Sequence, residues 1–194
     1  MHESLIQYIR SQSATPLASK DIDLLKKTFI PKKFRKRQYF LQEGEVCVYG
    51  AFIVKGAMRK YTVDEKGEEH IVELLIENWW ANDRESQIKE VPSRYFIDCW
   101  EDTDALLTTK QSMYDLIDRI PALKEWRAKI SENYHIASQK RINDAISLSA
   151  EQRYHELEKT YPEFIQRFPQ HIIASYLGIT KETLSRIRHQ AAKK

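Results

Sequence analysis

The sequence predicts an α+β fold, in which a small β-roll of the jelly-roll type precedes a long helix and a C-terminal helical motif. Three observations lead to this prediction. Short runs rich in β-forming residues lie between about residues 34 and 109, apolar residues recur at threes and fours after Lys110, and the last stretch suits two crossing helices. We expect segments at residues 1–120, 121–148 and 149–194.

The composition is that of an ordinary globular protein, with 42% hydrophobic and 30% charged residues among 194. Because no apolar run reaches membrane-spanning length and no signal-peptide pattern opens the chain, we expect a cytoplasmic protein without a membrane partner. Cys47 and Cys99 are too few and too isolated for a zinc or iron–sulfur site, so they are expected as buried free thiols. No metal or cofactor is expected.

The net charge of +3 is unevenly distributed along the chain. From Gln166 onward six basic residues face one acid, a balance of +5, whereas the preceding 165 residues carry −2. Basic charge concentrated in a C-terminal module indicates a polyanionic partner for that module.

The first half of the chain changes from a helical to a β pattern. "LIQYIR" and "DIDLLKKTF" place apolar groups at helical spacing, whereas Gly44, Gly50, Gly56 and Gly67 interrupt β-rich runs, with "DEKG" as a hairpin turn. "YFIDCWEDTDALLTT" predicts two further strands, and the basic run "KKFRKRQ" the solvated edge of a first strand.

The segment after about Lys110 predicts helix, with Pro121 acceptable only at a helix start or a kink. Its apolar stripe is about 26 residues long, which at 1.5 Å per residue is roughly 39 Å. It could pack on its own domain, but one small β domain cannot cover such a length, so a seam between two subunits is favoured. The predicted seam residues are Trp126, Ile130, Tyr134 and Ala137.

The stretch "IIASYLGITKETLSRIRHQ", residues 172–190, has the residues that a helix-turn-helix needs. Ala174 is small where two helices would cross, Gly178 tolerates the positive φ of the turn, and Leu184 faces the shared core. Thr180 is a good N-cap for the second helix.

The second helix would be the recognition helix, with its N-terminal turns in the major groove of double-stranded DNA. Arginine can hold guanine O6 and N7, a carboxylate can accept from cytosine N4, and short hydroxyls suit phosphate oxygens. The predicted DNA-binding residues are Lys181, Glu182, Thr183, Ser185, Arg186 and Arg188.

This order of elements resembles the family of the cyclic-AMP receptor protein and the fumarate–nitrate regulator, the Crp/Fnr family. "FIVKGAMRKYTVDEKGEEHIVELL" is similar to the family's core hairpin, and "KETLSRI" to its recognition-helix pattern. The resemblance implies a roll like a cyclic-nucleotide-binding domain, a parallel homodimer, and base contacts from Lys181, Glu182 and Arg186. RNA polymerase is a further candidate partner of such a regulator.

The resemblance fails at the phosphate cassette of the cyclic-nucleotide binders, which consists of a Gly-Glu pair on a short helix and then an Arg-Ser pair. Here Trp79 and Trp80 stand where Gly-Glu is expected, and Ser93-Arg94 reverses the second pair. An indole offers only an N–H donor and cannot accept the ribose hydrogen bond. We therefore expect no cyclic-AMP binding.

The candidate effector pocket comprises Trp79, Trp80 and Arg94, and the effector itself is not identified. Both indoles should pack as an aromatic wall beside Trp100, Tyr95 and Phe96, and any ligand should be more apolar than a nucleotide.

Two other classes of function are alternatives to a DNA-binding regulator. A ligand-binding or interaction module could retain a helix-turn-helix that no longer reads DNA. An enzyme is not expected, since His70 is the only imidazole in the roll and no nucleophile elbow or phosphate loop is present. The sequence therefore favours a DNA-binding transcriptional regulator.

Overall fold

The computed structural model describes residues 1–191 and has the predicted mixture of helices and antiparallel strands. The first helices are α1 (His2–Gln12) and α2 (Ser19–Thr28). The strands are β1 (Ile30–Phe34), β2 (Tyr39–Leu41), β3 (Tyr49–Lys55), β4 (Met58–Val63), β5 (Glu69–Leu75), β6 (Trp80–Ala81), β7 (Phe96–Cys99) and β8 (Thr103–Thr109). A short helix, α3 (Arg84–Lys89), separates β6 from β7. The later helices are α4 (Lys110–Arg119), α5 (Pro121–Ser147), α6 (Ala150–Thr160), α7 (Pro162–Arg167), α8 (Gln170–Leu177) and α9 (Lys181–Ala191).

The chain forms two compact units. The first unit comprises residues 1–60 and 75–133, and the second comprises residues 61–74 together with the chain from Tyr134 onward. The tip of the β4–β5 hairpin therefore belongs with the C-terminal helices. None of the helices described is both long and apolar enough to cross a membrane.

The strands form two four-stranded sheets, in the orders β1-β8-β3-β6 and β2-β7-β4-β5. The basic strand β1 is an edge strand paired only with β8, as predicted from its lysines. The "DEKG" turn is also confirmed, since Asp64 accepts hydrogen bonds from the N–H groups of Lys66 and Glu68, and Gly67 has φ +82°.

Gly56 is required by the β3–β4 turn for two reasons. Its φ is +101°, and an added Cβ would lie 2.5 Å from the carbonyl oxygen of Asp102. Any other residue would clash with backbone as well as strain the turn.

Strand β3 is buried on both faces and divides the apolar interior of the first unit into two clusters. Ala51 and Ile53 belong to the roll cluster, together with Met58, Leu75 and Ile97. The alternate residue Phe52 points to the other face, because successive side chains of a strand alternate. There it packs in the helix-side cluster, whose other members come from α1, α2, α4, β8 and the start of α5. Cys47 and Cys99 are buried free thiols, as expected.

The loop between α1 and α2 is held by Glu125 on α5. Its carboxylate accepts hydrogen bonds from the Ser13 hydroxyl at 2.8 Å, the Ala14 N–H at 2.9 Å, and both the N–H and the hydroxyl of Thr15. The bond from the Thr15 hydroxyl, followed by that from Ser13, lowers the pKa of Glu125 to about 2. The carboxylate thus ties the N-terminal helices to α5.

Replacing Glu125 by glutamine should lower the melting temperature at pH 7, because the amide presents one acceptor oxygen and no charge to these donors. A lowered folded-state pKa means that the ionised group stabilises the fold above the unfolded pKa, near 4.5, and that this stabilisation is lost as the pH falls toward about 2. Melting curves of wild type and Glu125→Gln should therefore differ most near neutral pH and converge below pH 4.5. The exposed Glu132 on the same helix provides the control substitution Glu132→Gln, and a gap independent of pH would contradict the assignment.

Candidate nucleic-acid interface

Helices α8 and α9 form a helix-turn-helix around Gly178. Gly178 has φ +66°, the left-handed conformation that ends α8, and its N–H donates to the Ser175 carbonyl at 3.0 Å. The N–H of Ile179 then donates to the carbonyl of Ala174, also at 3.0 Å. This pattern satisfies the last carbonyls of α8 and turns the chain sharply into α9.

Small and branched apolar side chains allow the two helices to approach closely. Ala174 is 2% exposed on α8, and Leu184 is 1% exposed on α9. Ile173 and Ile187 are also buried, while Leu177 is half-buried. The three residues that the sequence marked for the shared core and turn, Ala174, Gly178 and Leu184, thus lie where the motif needs them.

Helix α9 is capped as its sequence predicts. The Thr180 hydroxyl accepts from the Thr183 N–H at 3.2 Å, which satisfies one of the free donors of the first turn. The Thr183 hydroxyl in turn accepts from the guanidinium of Arg186 at 3.3 Å. Thr183 is half-buried and orients Arg186, a role that differs from the predicted phosphate contact.

One face of α9 is polar and exposed to solvent. Lys181, Glu182, Ser185 and Arg186 are all exposed, as the buried pattern of Leu184 and Ile187 requires. His189 is exposed on the same face, three residues beyond Arg186, and sequence reasoning missed it. We call Lys181, Glu182, Ser185, Arg186 and His189 the reading face.

Arg188 has a different environment from the reading face. It is exposed, but it lies near Tyr154, at the side of α9 that packs on α6. Burial raises the pKa of that tyrosine. The DNA contact of Arg188 stays a prediction. Lys193 and Lys194, two of the six basic residues counted from Gln166 onward, lie outside the described residues.

Helices α6 and α7 pack against the helix-turn-helix. Helix α6 begins with a capping box in which Ser149 accepts from the Gln152 N–H and the Gln152 side chain accepts from the Ser149 N–H. Phe164 on α7 is fully buried and packs edge-on against Phe168 and Tyr176, at centroid distances of 5.9 and 6.1 Å. These contacts make the α8–α9 pair part of a packed core.

The four predicted seam residues on α5 differ in exposure: Trp126 is buried and Ile130 half-buried, whereas Tyr134 is 58% exposed. Trp126 is 4% exposed within the helix-side cluster, and Ile130 packs against the same cluster. Tyr134 donates its hydroxyl to the carboxylate of Glu73 at 2.7 Å. Trp126 leaves the predicted seam, because a side chain buried in its own core has no surface for another subunit. Ala137 is exposed.

A different face of α5 carries exposed large apolar side chains. Ile136, Ile142 and Ile146 are 56%, 62% and 82% exposed. Each residue of a helix is turned by about 100° from the previous one, so Ile142 and Ile146 lie well away from Tyr134 and Arg141. The periodicity of the sequence could not separate this surface from the face that packs on the chain.

The two tryptophans of the candidate effector pocket point into different clusters. Trp80 packs with Phe29, Phe52 and Trp126 on the helix side, at centroid distances of 6.1, 5.6 and 5.8 Å. Trp79 packs against the roll cluster. The predicted aromatic wall beside Trp100, Tyr95 and Phe96 is therefore wrong for Trp80, because adjacent strand residues face opposite sides.

Arg94 does not line a pocket. Its side chain is 68% exposed and forms an ion pair with Glu85 at 3.4 Å on the surface of α3. Its neighbour Ser93 is the buried member of the pair, with its hydroxyl donating to the Asp83 carboxylate at 2.8 Å. The pairing of Arg94 with an effector, as predicted, is not supported by this geometry.

The structure also corrects the register of the cassette. The short helix that follows the hairpin is α3, and the residue that opens it is Asp83, three positions after Trp80. One carboxylate oxygen of Asp83 accepts from the N–H groups of Glu85 and Ser86, and the other accepts from Ser93. An acceptor is therefore present at the helix start, contrary to the prediction, but both of its oxygens already accept hydrogen bonds within the chain.

A buried lysine occupies the region beside Asp83. Lys60 on β4 is 7% exposed, donates to the carbonyl of Asn82 at 3.2 Å and lies 4.4 Å from the ring centroid of Tyr95. Cys47 adjoins the same region, with its sulfur accepting from the Asp83 N–H, and burial is the main cause of its raised pKa. Polar groups of the chain thus fill this part of the roll.

His70 lies at the surface, at the start of β5 and beside the turn of the β4–β5 hairpin. It forms a hydrogen bond of 2.9 Å with Asp64, and these two residues with Glu68 are an exposed group whose ligand atoms lie within 4.8 Å of one another. Asp64 already accepts two backbone N–H groups, which explains the cluster as part of the turn.

No protein-family model matches the sequence, and no curated protein matches it significantly. Solved structures do match over most of the chain. FixK2 from Bradyrhizobium japonicum is 21% identical, with a TM-score of 0.66 over 86% of this chain and 85% of that chain. A CooA variant from Carboxydothermus hydrogenoformans is 18% identical, with a TM-score of 0.69 over 92% and 81%.

A transcriptional regulator described as belonging to the Crp/Fnr family, from Eubacterium rectale, is 14% identical, with a TM-score of 0.66 over 91% of this chain and 85% of that one. Identities this low show a common fold. The resemblance inferred from the sequence is thereby confirmed at the level of structure. The chain has the fold of Crp/Fnr regulators, with a β-roll, a long helix and a C-terminal helix-turn-helix in that order.

Proposed function

We propose that this protein is a homodimeric transcriptional regulator that reads a pseudo-palindromic DNA site through α9. The observation that carries the proposal is the reading face, a row of exposed polar side chains on a helix whose opposite side is buried. A helix held in this way can enter the major groove of DNA with its N-terminal turns leading.

The chemistry of the reading face suits base recognition. Arg186 can donate two hydrogen bonds to guanine, and its anchoring by Thr183 limits the side-chain freedom that would be lost on binding. Glu182 is repelled by phosphates, so its place in the first turn is best explained by an acceptor role toward cytosine N4. Lys181 and Ser185 can contact bases or phosphate oxygens.

The proposed dimer uses the isoleucine face of α5, Ile136, Ile142 and Ile146, instead of the stripe that begins at Trp126. Exposed large apolar groups within about a third of the circumference of one helix are unfavourable in water and indicate a partner surface. A second copy of α5 in parallel would cover them and would bring two α9 helices to successive major grooves, about 34–36 Å apart.

The β-roll is proposed not to bind cyclic AMP. The reason differs from the one that the sequence suggested, because an acceptor is present in Asp83. The Asp83 carboxylate already accepts hydrogen bonds from Ser93 and from the backbone, and the neighbouring Lys60 already donates to a backbone carbonyl. A nucleotide would have to displace these bonds and compensate for every buried group it left unpaired.

Binding to random duplex DNA tests the proposal against an interaction module that no longer reads DNA. A DNA-binding protein releases counterions, so its affinity should fall linearly with salt on logarithmic axes. Genomic footprinting of the purified protein would then give the site, its symmetry and the neighbouring genes. Absence of salt-dependent binding would refute the proposed function.

The first prediction concerns base readout by Arg186. Replacing it by alanine should cost about 1–3 kcal/mol on the footprinted site and relax preference at one base pair, because two hydrogen bonds to a base are lost. Fluorescence anisotropy with the site and its single-base variants measures both effects. Arg10→Ala, on the exposed side of α1, is the matched control. Equal losses on specific and random DNA would remove Arg186 from the base readers.

The second prediction concerns the dimer. Glutamate at both Ile142 and Ile146 should produce monomers, because like charges would face each other across the seam. Light scattering at micromolar concentration reports the mass directly. Ile88→Glu, at a residue 50% exposed on α3, is a control that should remain dimeric. If the wild type is itself monomeric, the seam does not exist.

The third prediction is that cyclic AMP and cyclic GMP do not bind in the physiological range. Titration followed by calorimetry should show no saturable binding below about 100 μM. Tryptophan emission provides a second readout, since Trp79 packs against the roll cluster. Saturable binding by both methods would mean that the network of Asp83, Lys60 and Ser93 opens for a nucleotide.

A further inference from the structure

The β4–β5 hairpin contacts the helix-turn-helix through one serine. The Ser175 hydroxyl on α8 accepts from the N–H of Ile71 at 2.9 Å and donates to the carbonyl of Glu69 at 2.8 Å. Both groups belong to β5, which ends the strand order of its sheet. The hydroxyl therefore forms hydrogen bonds that a neighbouring strand would otherwise form with this edge.

An arginine of the long helix reinforces the same contact. The guanidinium of Arg141 donates to the carbonyl of Val72 on β5 and to the carbonyl of Tyr176 on α8, the second at 3.3 Å. It also lies 4.1 Å from the centroid of the Tyr176 ring, within the range of a cation–π interaction. A single side chain of α5 thus joins the hairpin to the first helix of the motif.

The contact and the reading face use different surfaces. On α8, Ile173 and Ala174 face the shared core with α9, whereas Ser175 and Tyr176 meet the hairpin and α5. The reading face on α9 stays exposed while these contacts are made. The contact with β5 therefore orients the motif without covering the surface that would meet DNA.

We propose that Ser175 and Arg141 are positioning residues that dock the helix-turn-helix on the edge of β5 and so set how the reading face is presented to DNA. The DNA part of this inference rests on the proposed function, whereas the docking part does not. Sequence-specific binding needs α9 in one orientation, because base edges are read at fixed places in the groove. Phosphate contacts on random DNA tolerate a range of orientations. Loss of the docking contact should therefore lower specificity more than general affinity.

Hydrogen exchange tests the docking contact without DNA. In Ser175→Ala the amide of Ile71 loses its acceptor, so its exchange, followed by NMR on the full chain, should be roughly tenfold faster. Ser175→Thr, which keeps a hydroxyl, should restore slow exchange, and Arg141→Met should loosen the same strand. Ser147→Ala is the matched control, because that hydroxyl bonds only within its own helix, to the Asn143 carbonyl at 2.7 Å. Unchanged exchange at Ile71 in Ser175→Ala would overturn the docking.

DNA binding tests the positioning role. Ser175→Ala and Arg141→Met should weaken binding to the footprinted site by about threefold to tenfold and leave binding to random duplex DNA nearly unchanged. Ser175→Thr and Ser147→Ala should bind both DNAs as the wild type does. Faster exchange at Ile71 with unaltered specificity would overturn the positioning role. A wild type that binds no DNA would refute the proposed function and with it the positioning role, and the exchange results would still decide the docking.

Discussion

Phe52 and Leu106 face each other across β3 and β8, and neither exposes any surface. Their neighbours Ala51, Ile53 and Ala105 point the other way and fill the roll cluster. Because this strand pair is buried on both sides, the first unit needs helices on one face and a second sheet on the other. The start of α5 is recruited into this arrangement through Trp126, and the rest of that helix continues into the second unit. The fold of the first unit thus depends on burying both faces of the β3–β8 strand pair.

The interior of the roll contains buried polar groups that are bonded within the chain. Asp83 opens α3 and binds Ser93, while Lys60 is held by the Asn82 carbonyl and the Tyr95 ring. Buried polar groups that satisfy one another are costly to separate, since each would need a new partner. A ligand that entered this part of the roll would therefore have to replace those bonds, which is the basis of our proposal that cyclic AMP does not bind.

In the second unit, the two sides of α5 have different environments. Tyr134 and Arg141 bond to β5 of their own chain, whereas Ile142 and Ile146 are exposed to solvent. If a second copy covers the isoleucines, α5 carries both the docking contact at Arg141 and the proposed seam. Rotation or bending of α5 would then act on both, and would change the presentation of α9 if that helix reads DNA as we propose.

The sequence alone predicted the order of elements, the "DEKG" turn, the glycine turn at Gly178, the Thr180 cap and most of the reading face, because each depends on residues close together in the chain. It did not predict that Trp126 and Ile130 pack into the core of their own chain, since periodicity identifies an apolar face but not what covers it. It also misplaced the cassette, because burial of Trp80 beside Phe52 and the capping of α3 by Asp83 depend on long-range packing. Ser175 could not be recognised at all, for a lone serine on a helix acquires its role only when the edge of a distant strand is brought beside it.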